Sequence, residues 1–303
     1  MPEPIGRIGN ATDQVGESPV WDEQTGRLYW VDIVGRAVRR WTRATDVIES
    51  RAVADFPSAV ALCRSDARLV LTVGRTFGYF DFDANRFAPE HFLESREDMR
   101  LNEGKCDPAG RFWCASMENN LNADGSPRQQ AHWRGRLFSV AGNTVTGPVE
   151  EGFGIPNTMA WSPNGDRFYF GDSARNVIWT CAYDGQTGRL GEREVFTQGG
   201  PGVPDGSAID AEGCLWNARF GANCIIRYRP DGHVDRVVDL PASNPTSCCF
   251  GGETLTELFV TTACYGVEKP TAWDGAVLLV QTGTMGQAGH RYLFTARPIA
   301  TPG

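Results

Sequence analysis

The sequence predicts an all-β protein, specifically a six-bladed β-propeller in which four-stranded antiparallel blades surround a central channel. One pattern, a turn with Gly or Asp followed by an alternating aromatic and aliphatic strand, recurs about every 40 to 55 residues, the period of a propeller blade. Turn residues recur about every ten residues, and no long helical period is present. The 35 glycines and 18 prolines suit many tight turns.

Copies of this pattern follow one another along the chain, at 25–32, 66–71, 109–115, 164–171, 212–217 and, in degenerate form, 255–261. Between them lie other short β-type runs that end in turn residues, such as 177–183 and 224–228. Six repeats of about 50 residues account for the length of the chain. We therefore expect residues 1–303 to form one propeller domain without a linker. A β-sandwich is the alternative, but it does not explain the period.

Composition and charge exclude several classes of protein. The chain has 41% hydrophobic and 22% charged residues, which is typical of a soluble globular protein. Its net charge of -8, without a Lys/Arg block, argues against general nucleic-acid binding. No apolar run approaches the roughly 18 residues of a membrane span, and the N-terminal segment lacks the apolar core of a signal peptide. A cytoplasmic location without membrane partners is the default expectation.

Cysteine and histidine usage points away from disulfides and zinc clusters. Nine cysteines are an odd number, and none form a C-x-x-C pair, so we expect mostly buried free thiols in a reducing compartment. The four histidines form no H-x-H or H-E-x-x-H pattern.

Polar residues precede the repeated strand at four places, each in a loop-like run. These are Glu17 in Gly16-Glu17-Ser18-Pro19, Arg100, Asn102 and Glu103 in RLNEGK (100–105), Asn157 in Ile155-Pro156-Asn157-Thr158, and Asp205 in Pro204-Asp205-Gly206-Ser207. A ring of blades brings such distant positions together at one channel mouth, where ligands commonly bind. Two carboxylates and an amide converging there would offer hard oxygen ligands to a divalent cation.

Each candidate also has a purely structural interpretation. Glu17 alone would suit a surface acid, Asn157 a turn residue, and Asp205 in Pro-Asp-Gly a β-turn. Turns of the same kind occur at Asp184 and Asp231. Asp205 differs from these two because it precedes the repeated strand instead of joining two strands within a blade.

Five segments, GESPVW (16–21), LYWVDI (28–33), NEGKCDPAGR (102–111), PNTMAWSP (156–163) and PDGS (204–207), occur in order with propeller spacing. Through them the chain resembles the regucalcin/gluconolactonase family, also called the senescence-marker-protein family, over almost its full length. The resemblance implies a six-bladed propeller with one divalent cation in the channel. Many members hydrolyse lactones of sugar acids.

The resemblance also implies residue roles. Glu17, Asn157 and Asp205 fall on the metal ligands, and Arg100 and Asn102 on substrate-contacting positions. The next residue is usually Asp in the family but is Glu103 here, and we assign it to substrate binding too. Some members place a further substrate-binding acid just past the next strand, where this chain has 117–120, and which residue matches stays open.

The implied activity is metal-dependent opening of a sugar-acid lactone, such as glucono-, arabinono-, xylono- or galactonolactone, to the free aldonic acid. One divalent cation, Ca²⁺, Zn²⁺, Mn²⁺ or Mg²⁺, would polarise the carbonyl, and Asp205 would take a proton from the attacking water. No G-x-S-x-G elbow is present. The expected partner is a small sugar lactone, with the protein a monomer or weak homo-oligomer.

Three other functions are compatible with these residues. A phosphotriesterase-like hydrolase would use a similar metal, although Arg100 and Asn102 favour a hydroxylated substrate. A non-catalytic calcium-binding regulatory propeller would need the ligands without turnover. A protein-interaction propeller would present an apolar top face and tolerate loss of the carboxylates.

Overall fold

Six antiparallel β-sheets form a ring around a central channel, which confirms the predicted six-bladed β-propeller. The computed structural model describes residues 5–65 and 67–293. Residues 1–4 and 294–303 lie outside the described part, as does Asp66, the first residue of the second predicted repeat. The extent of the predicted single domain, residues 1–303, therefore stays a prediction.

The strands of each blade follow one another along the chain, except that the first strand, β1 (Ile5–Ile8), belongs to the last blade. Blade 1 consists of β2 (Gly16–Asp22), β3 (Arg27–Asp32), β4 (Ala37–Thr42) and β5 (Val47–Ala52). Blade 2 consists of β6 (Pro57–Leu62), β7 (Leu69–Val73), β8 (Thr76–Asp81) and β9 (Arg86–Phe92). Blade 3 consists of β10 (Met99–Cys106), β11 (Phe112–Glu118), β12 (Gly135–Ala141) and β13 (Thr144–Phe153).

The other three blades depart slightly from this scheme. Blade 4 consists of β14 (Pro156–Trp161), β15 (Arg167–Asp172) and β16 (Val177–Asp184), and two pieces, β17 (Arg189–Leu190) and β18 (Glu194–Gln198), pair with β16. A 3₁₀ turn (Ser173–Arg175) follows β15. Blade 5 consists of β19 (Val203–Ile209), β20 (Leu215–Phe220), β21 (Cys224–Tyr228) and β22 (Val234–Asp239). Blade 6 consists of β23 (Pro245–Gly251), β24 (Glu257–Thr262), β25 (Val277–Gln281) and β1.

The innermost strands carry the polar runs singled out in the sequence. β2, β6, β10, β14, β19 and β23 neighbour one another around the channel. These runs are strand segments instead of loops, because they form the first residues of β2, β10, β14 and β19, at the start of the innermost strands. The repeated aromatic pattern is instead the second strand of each blade. The polar side chains at the start of these four strands, each from a different blade, thus lie at the same end of the channel, which we call the mouth.

Apolar side chains fill the interfaces between neighbouring blades. Between blades 3 and 4, Trp113 and Phe153 pack with Phe168 and Phe170. The rings of Trp113 and Phe168 are 5.7 Å apart at their centroids. Similar clusters occur between the other blades. Burial of these large aromatic surfaces is the main stabilising contribution to the ring.

Residues 286–292 cross the end of the channel opposite the mouth, and we call this segment the floor. The Gln287 amide donates to the Ile209 carbonyl of blade 5 at 3.1 Å, and the Tyr292 amide donates to the Leu62 carbonyl of blade 2 at 2.8 Å. His290 lines a cavity of about 70 Å³ between the floor and the residues near the mouth, together with Lys105.

All nine cysteines are free, seven of them buried, which confirms the prediction of free thiols. No helix in the described part of the chain has the length and apolar character that a membrane crossing requires.

Candidate functional site

A β-bulge interrupts each innermost strand close to the mouth. The pairing with the second strand shifts between Glu17 and Val20 in blade 1, and corresponding shifts occur in the other five blades. Ser18 and Thr158, which follow two of the candidate ligands, have positive φ angles of 53° and 54°. Bulges re-aim side chains and are common beside active sites, and here they occur where the candidate residues lie.

The three predicted metal ligands are buried at the mouth and come from three blades. Glu17, Asn157 and Asp205 are 8%, 6% and 8% exposed, respectively. The carboxyl groups of Glu17 and Asp205 lie within hydrogen-bonding reach of each other, and such a bond forms when one of the two is protonated. Glu17 of blade 1 and Asp205 of blade 5 thus lie side by side, although they are far apart in the sequence.

Hydrogen bonds orient the Asn157 amide. Its Nδ2 donates to Ser173 Oγ at 2.8 Å, and that hydroxyl donates to the Pro204 carbonyl at 2.5 Å. Asn157 Oδ1 accepts a hydrogen bond from Asn102 Nδ2 at 3.2 Å. The oxygen of Asn157 thus faces the other candidate residues, as a ligand to a hard cation requires.

Burial of several acids in one place raises their pKa values in the metal-free protein. Burial, followed by the charge of Glu103, raises the pKa of Glu17 to about 8. The pKa of Asp205 is raised well above its usual value by burial and then by Glu17 and Glu103. Burial also raises the pKa of Glu103, which the charge of Lys105 opposes. The three acids therefore have too little positive charge nearby to keep all of their carboxyl groups ionised.

Glu103 has only part of its hydrogen-bonding capacity used. Its Oε1 accepts from the Gly104 amide at 2.8 Å, whereas its buried Oε2 lacks a partner among the described residues. Lys105 contributes a cation nearby, and its Nζ donates to the Ser207 carbonyl at 2.5 Å. A buried carboxylate oxygen without a partner is costly, so a bound group that satisfies it would be favoured.

Arg100 is buried and surrounded by neutral oxygens. Its guanidinium donates to Asn102 Oδ1 at 2.8 Å, to the Leu101 carbonyl at 2.9 Å, and to Asn120 Oδ1 at 3.0 Å and 3.3 Å. These contacts occupy four of the five N–H groups of the side chain. Burial lowers the pKa of Arg100 to about 10, so the group stays cationic at neutral pH. One N–H is left for a ligand.

Within the run 117–120, Asn120 and Glu118 have different roles. Asn120 contacts Arg100, as described above. Glu118 instead accepts from the Ala131 and His132 amides at 3.1 Å and 2.7 Å, which ties down the segment 119–134. This segment reaches blade 6, where Tyr265 Oη donates to the Gly125 carbonyl at 3.0 Å. The sequence alone does not show which of the two side chains faces the site, because no local pattern distinguishes them.

The donor set fits a hard divalent cation. Two carboxylates and an oriented amide oxygen are the ligand types that such cations prefer, and a cation would offset the excess of buried negative charge. No three acidic, histidine or cysteine side chains within residues 5–65 and 67–293 are grouped so as to hold a metal by themselves. Asn157 would complete such a set with Glu17 and Asp205.

Comparison with known proteins agrees with this architecture. A sequence model of the family described as "SMP-30/Gluconolactonase/LRE-like region" matches residues 15–264. Regucalcin of Xenopus laevis is 35% identical over 266 residues, covering 86% of this chain and 87% of that protein. A pentonolactonase of Haloferax volcanii is 32% identical over 265 residues, covering 86% of this chain and 85% of that protein.

A solved structure extends the similarity to three dimensions. Regucalcin of Agrobacterium tumefaciens, described as a calcium-binding protein, has a TM-score of 0.88 and 27% sequence identity, covering 96% of this chain and 98% of that one. Sequence and fold therefore agree over most of the chain, and the protein belongs to the SMP-30/gluconolactonase/LRE-like family.

Proposed function

We propose that this protein is a metal-dependent lactonase that opens the ring of a sugar-acid lactone to give the free aldonic acid. The observation that carries the proposal is the meeting of Glu17, Asn157 and Asp205 at the channel mouth, beside the cationic Arg100. The similarity to a pentonolactonase supports the substrate class. Glucono-, arabinono-, xylono- and galactonolactone are the candidate substrates.

Glu17, Asn157 and Asp205 would hold the cation, which is Ca²⁺, Zn²⁺, Mn²⁺ or Mg²⁺. When bound, such a cation polarises a carbonyl and stabilises negative charge that develops on its oxygen. Its positive charge also favours the ionised form of the neighbouring carboxyls, including Asp205.

Asp205 takes a proton from the water that attacks the carbonyl carbon of the lactone. The ring C–O bond then breaks, and the ring oxygen takes up a proton to become a hydroxyl group. Arg100 and Asn102 hold the hydroxyl groups or ring oxygen of the sugar, with Glu103 accepting from a further hydroxyl. An activated cyclic ester needs no enzyme nucleophile for this reaction.

The test is a panel of aldonolactones assayed by acid release, with chelator-treated protein and with each cation added back. We expect turnover only in the presence of a divalent cation. Full activity in a preparation that elemental analysis finds free of metal would contradict the proposal. Turnover of phosphotriesters without turnover of lactones would favour the phosphotriesterase-like alternative.

A non-catalytic calcium-binding protein is the second candidate, favoured by the description of the Agrobacterium tumefaciens relative. It predicts that Ca²⁺ binds at Glu17, Asn157 and Asp205 without lactone turnover under any condition of the same assay. A protein-interaction propeller predicts neither metal binding nor turnover.

A further inference from the structure

The bulge that carries Asp205 is filled by a side chain from the next strand. Pro204 pairs with Arg219, but the next pair is Ser207 with Asn217, so Asp205 and Gly206 are left out of the pairing. Asn217 is fully buried and its side chain points into this bulge.

The Asn217 amide links the backbone of Asp205 to the side chain of Thr158, the residue that follows Asn157. Its Nδ2 lies 2.9 Å from the Asp205 carbonyl and 3.1 Å from Thr158 Oγ1. The Thr158 hydroxyl also donates to the Asp205 carbonyl, and Thr158 directly follows Asn157. One buried amide therefore lies where the Asp205 bulge of blade 5 meets the Asn157 bulge of blade 4.

Asn217 is itself held in place. Its Oδ1 accepts from Arg219 Nη1 at 3.3 Å. Arg219 is 1% exposed, and its guanidinium donates to the Pro201 and Gly199 carbonyls at 2.8 Å and 2.9 Å. A buried polar network whose members all have partners fixes one geometry.

In two other blades, the position that corresponds to Asn217 carries a smaller side chain. In blade 2, Thr72 pairs with the first residue after the bulge, and its Oγ1 lies 2.8 Å from Ser58 Oγ. In blade 6, Thr261 occupies the corresponding position, 2.9 Å from Thr246 Oγ1. The bulge of blade 2 carries none of the predicted site residues, whereas that of blade 5 carries Asp205.

We propose that Asn217 is a positioning residue that fixes Asp205 relative to Asn157 and so determines the affinity for the cation. The inference rests on the proposed cation site, and its kinetic readout rests on the proposed lactonase activity as well. A hydrocarbon side chain at 217 cannot donate to the Asp205 carbonyl, so the bulge relaxes and the ligand oxygens lose their fixed separation. A threonine at position 217 supplies one hydrogen-bond donor, its hydroxyl group, in place of the two N–H groups of the asparagine amide.

The experiment compares Asn217→Val, Asn217→Thr and the control Thr72→Val in the full chain. Calorimetric titration of each metal-free protein with Mn²⁺ and with Ca²⁺ gives the metal affinity without turnover. We expect Asn217→Val to weaken binding at least about tenfold and Asn217→Thr about threefold, the scale of lost hydrogen bonds. Thr72→Val loses a buried hydrogen bond as well but keeps wild-type affinity.

The kinetic measurement uses aldonolactone at saturating cation, where kcat falls at least about tenfold in Asn217→Val while KM stays within about twofold. Wild-type metal affinity and kcat in a folded Asn217→Val or Asn217→Thr protein overturns the positioning role, as does an equal loss of affinity in Thr72→Val. Absence of lactone turnover in a wild-type protein that binds the cation overturns the proposed function instead, and the titrations still decide the role of Asn217. Absence of cation binding in the wild type overturns both proposals.

Discussion

Among single residues, Asp205 combines a large electrostatic perturbation with the proposed chemistry. It is buried, within hydrogen-bonding reach of Glu17 and close to Glu103, so its pKa in the metal-free protein is raised well above the usual value. The same crowding of acids destabilises the fold when no cation is bound. Asp205 thus lowers stability at the place where it would supply function, a common compromise in active sites.

Asp205→Asn separates these two effects. It removes the proposed base and one ligand charge, so we expect kcat for lactone hydrolysis to fall at least about a hundredfold. It also removes repulsion from Glu17 and Glu103, so the melting temperature of the metal-free protein is expected to rise. Kinetics and calorimetry on the same preparation measure both.

Asp184→Asn and Asp231→Asn are the matched controls. Asp184 accepts from the hydroxyl of Thr187 at 2.6 Å within a turn, and Asp231 accepts from the His233 amide at 3.0 Å in another. Both are exposed and should keep full activity. Near-normal turnover in a folded, metal-loaded Asp205→Asn protein would contradict the catalytic role.

Arg100→Ala tests substrate binding apart from metal binding. Arg100 makes no direct hydrogen bond to Glu17, Asn157 or Asp205 among its described contacts. We expect KM for the lactone to rise by the equivalent of about 1–3 kcal/mol, the scale of lost hydrogen bonds to a polar ligand. The calorimetric metal affinity should stay near the wild-type value. A large loss of metal affinity with an unchanged KM would show that the assignment is wrong.

At the scale of elements, the turns between the first and second strands of blades 3 and 5 each contain a buried aspartate with the same hydrogen-bonding pattern. Asp107 accepts from the Arg111 amide at 2.8 Å and from Trp113 Nε1 at 3.2 Å. Asp210 accepts from the Cys214 amide at 2.9 Å and from Trp216 Nε1 at 2.8 Å. Each buried carboxylate therefore closes the turn and anchors the indole of the second strand.

Asp210→Ala tests the contribution of this turn to stability. Asp210 is fully buried and also bonds Arg227 Nε at 2.8 Å. Its removal leaves a buried guanidinium with less compensation and an indole N–H without its acceptor. We expect the free energy of unfolding to fall by about 3–5 kcal/mol in urea titrations. Asp231→Ala, in an exposed turn, should lose far less, and an equal loss in both would contradict this account.

The sequence predicted the elements better than their exact roles. Alternating aromatic and aliphatic residues after a turn, as in 27–32 and 215–220, correctly indicate strands because that pattern is local. The bulges at Glu17, Asn157 and Asp205 depend on pairing with the second strand, so their segments resemble loops in the sequence. Asn217 and Ser173 were missed for the same reason, since each contacts the site only across strands.

For the whole molecule, the ring is closed by a strand from the start of the chain. β1 pairs with β25 from Ile5↔Val280 to Ile8↔Val277, although Val277–Gln281 is far along the sequence. Hydrophobic pattern alone did not predict this closure, because β1 is short and carries no copy of the repeat. It brings Ile5–Ile8 beside Val277–Gln281 within blade 6.

Removing residues 1–8 is expected to lower the melting temperature and promote self-association. The deletion exposes the edge of β25, whose backbone groups then pair with other chains. Calorimetry and size-exclusion chromatography measure the two effects. Removing residues 1–4 leaves β1 in place and is the control, and identical behaviour of the two deletions would contradict the role of β1.

The floor limits how small molecules can enter and leave the channel. Because residues 286–292 cover the far end of the channel, a molecule bound beside Glu17 and Asp205 has the mouth as its way in and its way out. Under the proposed function, the open-chain acid would leave along the path by which the next lactone arrives. Added aldonic acid should therefore inhibit competitively in initial-rate measurements, raising KM while leaving kcat unchanged, whereas a fall in kcat alone would point to a separate exit.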